Sequence, residues 1–133
     1  MTDGEIEARA REAFRSVFRL FSYTPDTSVD TWQSHIASVM EGRRFSGDCE
    51  DFAMTAGAMC SRLGIGADRI RLWVGRDETG SGHAVCLVET GAAYLALDNR
   101  MTAVTTWGAL ERRGYVGVQS KLLSGGPWLA WGA

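Results

Sequence analysis

Apolar residues recur at helical spacing over three stretches of this chain and at strand spacing over three more. The first stretch sets Ile6, Ala10, Phe14, Val17, Phe18 and Phe21 on one side, interrupted by Arg9, Arg11, Arg15 and Arg19, which predicts an amphipathic helix over residues 1–22. A second stripe, Trp32, Ile36, Val39 and Met40, predicts a helix from Thr31 to Glu41 with His35 on its polar, solvated side. In the third, Phe52, Ala56, Met59, Cys60 and Leu63 line one face, Gly64 stands just past the end as a C′ residue, and Asp48 is the expected N-cap.

The strand period follows. Ile70, Leu72 and Val74 alternate with Arg69, Arg71 and Trp73, a half-buried strand from Arg69 to Gly75. His83 to Val88 is nearly continuous in apolar residues after His83, and Ala93 to Asp98 is a third strand beyond the Glu89-Thr90-Gly91 turn. The short connection makes the last two pair antiparallel, so the start of one (His83) and the end of the other (Asp98) meet at one edge of the sheet. Later residues are less periodic: Ala109–Arg113 reads as the end of a short helix, Tyr115–Val118 as a strand, and Trp128 and Trp131 as aromatic residues packing back on the core. If exposed, they would instead form a patch for an assembly partner.

Cys49 lies in the first turn of the third helix, where unpaired N–H groups and the positive end of the helix dipole favour a thiolate. A nucleophilic cysteine needs a base, and the base needs a third group to orient it. Cys49, His83 and Asp98 supply these in chain order. Each has a plainer reading: His83 as a strand-end histidine, Asp98 as a turn residue before Asn99. Cys60 and Cys86 sit inside apolar runs and read as small hydrophobes. Cys49 does not, since Asp48, Glu50 and Asp51 flank it and burying it as a hydrophobe would be costly.

Those three carboxylates should oppose a thiolate. One resolution is a Ca²⁺ ion held by Asp48 and Glu50, with Asp51 or the oxygens near Asp98 and Asn99 completing the shell; the other is that the acidic residues only stabilise a helix start. No Asp-x-Asp-x-Asp-Gly loop of the EF-hand type is present.

Tyr23-x-x-Asp26-x-x-x-Asp30-x-Trp32-Gln33, Gly47-Asp48-Cys49-Glu50-Asp51-Phe52-Ala53, Gly82-His83-Ala84-Val85, Leu97-Asp98-Asn99 and the tryptophan-bearing tail together resemble the bacterial transglutaminase-like cysteine peptidases. That family includes a calcium-dependent periplasmic protease that clips biofilm adhesins. The resemblance runs from Tyr23 to Trp128. It implies an α+β fold, a papain-like or transglutaminase-like core with the nucleophile helix packed on a small antiparallel sheet. It further implies Cys49 as nucleophile, His83 as general base and acid, Asp98 as the orienting carboxylate, and Asp48 and Glu50 as calcium ligands. The backbone N–H of Cys49 would meet the oxyanion, with Trp32 Nε1–H or the Gln33 amide as the second donor; Trp32 has packing as its other reading.

The chain departs from the resemblance in two places. Phe52 stands where a tyrosine is common, and the first residues run straight into an amphipathic helix with no apolar segment long enough for a signal peptide or membrane span. The expected setting is cytoplasmic or virion-associated, as in a phage or mobile element, or periplasmic if a leader has been removed.

Composition narrows the classes. A chain of 133 residues forms one domain that can bury a core without disulfide staples. The net charge of −2, with no basic stripe, argues against nucleic acid as partner. Three cysteines without Cys-x-x-Cys spacing argue against a disulfide framework or structural zinc. Gly80-Ser81-Gly82, directly before His83, is a candidate mobile rim. No organic cofactor is called for. The expected activity is hydrolysis of a peptide or isopeptide bond through an acyl-enzyme, the partner a protein or peptide substrate. The alternatives are transglutaminase-type transfer to an amine and a non-catalytic assembly or virion protein that keeps the fold.

Overall fold

The structure, a computed structural model, describes residues 1–25 and 32–132. Asp26, Asp30 and the expected start of the second helix at Thr31 lie outside the described residues.

Helix α1 (Asp3–Phe18) begins at a capping box: the Glu5 N–H donates to Thr2 Oγ1 at 3.1 Å, and the Thr2 N–H donates back to the Glu5 carboxylate. Its buried face, Ile6, Ala10, Ala13, Phe14 and Val17, rests on α3 (Cys49–Arg62), with the Phe14 and Phe52 rings edge to face at 5.8 Å. Between them run β1 (Phe21–Tyr23), α2 (Ile36–Met40) and β2 (Phe45–Gly47). The parallel pairing of β1 with β2 sets Tyr23 opposite Gly47, at the threshold of α3. Three-residue strands are too short to show alternation, which is why the sequence pattern did not reveal them.

After α3 come β3 (Ile70–Arg76), β4 (Gly82–Glu89), β5 (Tyr94–Leu97), β6 (Thr105–Thr106), α4 (Trp107–Arg113), β7 (Val116–Leu122) and β8 (Leu129–Ala130). They form an antiparallel sheet in the order β6-β5-β4-β3-β7-β8. One face carries Ile70, Leu72, Ala84, Cys86, Val88, Leu95 and Leu97 into the core under α3 and α1. The other buries Trp73, Val85, Leu87 and Ala96 beneath Leu110 of α4 and Tyr115. The expected α+β architecture, a nucleophile helix on an antiparallel sheet, is thus observed.

Two expectations are corrected. Trp73, placed on the polar side of its strand, is fully buried, because α4 and the tail cover that face too. The helix expected up to Glu41 is only the short α2, and His35 precedes it instead of facing water: its N–H donates to Thr55 Oγ1 at 2.9 Å and its ring stacks on Phe45 at 4.9 Å. An imidazole can bury a flat face on an aromatic ring while keeping its nitrogens at the edge, so a polar position on a helical wheel did not mean exposure. Among the described residues no helix is long and apolar enough to cross a membrane.

Candidate active site

Asp48 caps α3 as expected. Its Oδ1 accepts the N–H groups of Glu50 at 2.9 Å and Asp51 at 3.2 Å, while Asp51 Oδ2 accepts the Asp48 N–H at 3.1 Å. This reciprocal box leaves half-buried Cys49 as the first helical residue, at the positive end of the dipole. The Asp48 and Asp51 carboxylates are engaged in fixing the helix start, and among the described residues no three His, Cys, Asp or Glu side chains converge as metal ligands.

His83 is the second residue of β4, buried under the hairpin turn. The β4–β5 register pairs Cys86 with Leu97; continued one step, it brings Asp98 level with Val85, on the His83 face and one diagonal step away. The side chains meet there: His83 Nε2 lies 2.8 Å from Asp98 Oδ1. Burial alone would lower the imidazole pKa, but the hydrogen bonds to Asp98 and then to Cys49, with the charges of both, raise it to about 9. Asp98 is fully buried, which works against its ionisation, yet its bonds to His83, to the Arg100 N–H and to Tyr115 hold its pKa below the usual carboxylate value. With Nε2 committed to Asp98, the Nδ1 edge is the one left for Cys49.

Cys49 and His83 open into a cleft of about 370 Å³, walled by Tyr23, Asp48, Glu50, Gly75 and Gly82. A larger hollow, about 850 Å³, lies over the α4 side of the sheet among Trp107, Trp131 and Tyr94, away from the thiol and the imidazole. Cys49 and His83 both open onto the smaller cleft. Neither Trp32 nor Gln33 lines it: Trp32 packs against Trp128 with ring centroids 5.6 Å apart, and Gln33 is exposed.

Over residues 22–131 the sequence matches the family described as bacterial transglutaminase-like cysteine proteinase, BTLCP. The chain belongs to this family. It is a cysteine peptidase by that membership. Legionella pneumophila LapG superposes with a TM-score of 0.74 at 24% identity, over 94% of this chain and 69% of LapG. The calcium-bound form of LapG gives 26% identity over the same shares, with a TM-score of 0.74. An EGTA-treated form gives 24% identity, over 95% of this chain and 68% of LapG, again with a TM-score of 0.74. No curated protein matches the chain.

Two residues beside Asp98 escaped the sequence reading. Tyr115 donates its hydroxyl to Asp98 Oδ2 at 2.7 Å, and Arg100 Nη1 donates to the Tyr115 oxygen at 2.8 Å. Arg100 is in turn held by Glu78, whose carboxylate pKa it lowers to about 2, and stands 3.5 Å from Asp77. Nothing in the local sequence marks Tyr115, because only the β3–β7 pairing brings it across to Asp98. The Gly80–Gly82 rim is a tight turn organised by Asp77, whose Oδ1 accepts the N–H groups of Thr79 and Ser81. Cys60 and Cys86 are fully buried side by side, and the hydrogen bond the Cys86 thiol makes to Cys60, together with burial, pushes its pKa well up, as suits hydrophobic roles.

Proposed function

We propose that Cys49, His83 and Asp98 form a catalytic triad that hydrolyses a peptide or isopeptide bond through an acyl-enzyme. The observation that carries this reading is His83 held between Asp98 at 2.8 Å and the Cys49 thiol at the head of α3. An imidazole with a pKa near 9 keeps its proton at neutral pH, so a cation stands beside the Cys49 sulfur and its proton is at hand for the leaving group.

In the first half-reaction the Cys49 thiolate adds to the scissile carbonyl carbon, and the carbonyl electrons move onto oxygen. The oxyanion lies beside the Cys49 N–H at the helix start, a donor the capping box does not use. Collapse breaks the C–N bond as His83 gives its proton to the leaving amine. In the second, neutral His83 takes a proton from water, the hydroxide adds to the thioester, and the C–S bond breaks to restore the thiolate and imidazolium. Asp98 stays ionised throughout and fixes the tautomer. No step runs through a cation. A calcium-bound relative supports a cation in this family, and Asp48 and Glu50, at the head of α3, are the residues that would hold it here.

p-Nitrophenyl acetate tests the reading without a known substrate. The expected result is a burst of p-nitrophenolate that matches the enzyme concentration and then slow turnover, absent in Cys49→Ala and His83→Ala. A burst that survives Cys49→Ala would sink the assignment. Adding a primary amine separates the chemistries: an amide product that outruns acetate at millimolar amine would favour acyl transfer over hydrolysis.

A further inference from the structure

We propose that Tyr115 is a positioning residue for His83: its hydroxyl locks the Asp98 carboxylate in the orientation that aims the imidazole at Cys49, and Arg100 locks the hydroxyl. The proposal rests on the triad above. A carboxylate turns easily about its terminal torsion, and contact through one oxygen leaves its plane free. Here Oδ1 takes His83 Nε2 at 2.8 Å and the Arg100 N–H at 3.0 Å, and Oδ2 takes the Tyr115 hydroxyl at 2.7 Å, so three partners on two oxygens fix the plane.

The direction of the last bond is settled by chemistry. A guanidinium can only donate, so Arg100 Nη1, 2.8 Å from the Tyr115 oxygen, obliges that hydroxyl to spend its single proton on Asp98. Glu78 and Asp77 hold Arg100 against the β3–β4 turn, the same turn from which His83 enters β4. The Tyr115 ring also meets the imidazole edge to face, 5.7 Å between centroids at 84°, and so limits its tilt. Local sequence explains how the tyrosine arrives there. Gly114, at φ 114°, ends α4 in the left-handed conformation a side chain would resist, and the chain reverses to bury Tyr115.

Tyr115→Phe keeps the ring and removes only the hydroxyl, freeing Asp98 Oδ2. The probe is iodoacetamide at pH 6 and at pH 9.5, read by intact mass. Cys60 and Cys86 are buried, so a folded chain takes one label. Relative to wild type, Tyr115→Phe should label about tenfold more slowly at pH 6, the size of effect that one lost hydrogen bond to a charged group gives. At pH 9.5, where a free thiol ionises unaided, it should match wild type, a pattern that lost packing does not produce. Asp98→Asn should fall further at pH 6, and the double variant should be no slower than Asp98→Asn, because the hydroxyl acts only through that carboxylate. A wild-type rate for Tyr115→Phe beside a slow Asp98→Asn would overturn the positioning role and leave the triad standing. If Asp98→Asn also labels normally, the triad itself is wrong. Should Tyr115→Phe take up three labels, Arg100→Met carries the test: a smaller fall at pH 6 only supports the proposal, and no fall refutes it.

Discussion

An imidazole that burial has nearly closed off ordinarily gives up its charge, and His83 keeps it because Asp98 and Cys49 both favour the protonated ring. This couples the site to stability. The folded value of about 9 lies above the ordinary histidine value, so the contribution is whole below about pH 6.5 and is lost as pH rises toward and through 9. Asp98 runs the other way: its depressed pKa gives stability that is present above the ordinary carboxylate value and lost as pH falls through the folded one. Thermal melts between pH 6 and 9.5 should therefore show Tm falling faster in wild type than in His83→Gln. Equal slopes would mean that the imidazole is not held as described. That Cys49, His83 and Asp98 come together was legible in the sequence because a helix start and two strand ends are local signals. Tyr115 and Arg100 were not, since their role depends on which strands become neighbours.

Among the elements, the β3–β4 hairpin carries the tightest constraint. Gly75 pairs directly with His83, next to a register shift between Val74 and Gly75 in the β3–β7 pairing. A Cβ there would fall 2.2 Å from the Val116 carbonyl oxygen and 2.7 Å from the Trp73 ring. Backbone cannot yield as a side chain does, so Gly75→Ala should cost about 1–3 kcal/mol, the range of overpacked cores. Chemical denaturation would measure it, and an unchanged midpoint would show that the strand has slack. Helix α3 could be read almost residue by residue, from its Asp48 cap to its end before Gly64, because cap and period agree. The stretch before it could not. Trp32 and His35 pack through aromatic faces on Trp128 and Phe45, contacts that helical periodicity does not encode.

The whole molecule is an antiparallel sheet filled on both sides, α1 and α3 over one face and α4 with the tail over the other. Only the first layer was plain from sequence. The second depends on single aromatic residues far apart in the chain: Trp131 stacks near Tyr94 and Trp107, each with ring centroids 5.4 Å away, and fills the space that Gly117 leaves open. That packing is the return to the core expected of Trp131. Because it is half-buried, Trp131→Ala should cost about 2 kcal/mol, below the range for fully buried aromatics. It should lower Tm while Cys49 still labels at pH 6; loss of labelling without loss of stability would instead tie the tail to the cleft. The account as a whole stands on His83 being charged at neutral pH by its two neighbours. The chain has only two histidines, so proton NMR can follow the His83 ring directly. The account predicts titration near pH 9 in wild type, moving toward the ordinary value in both Cys49→Ser and Asp98→Asn. A ring that titrates at the ordinary histidine value in wild type, and does not move in either variant, would contradict it.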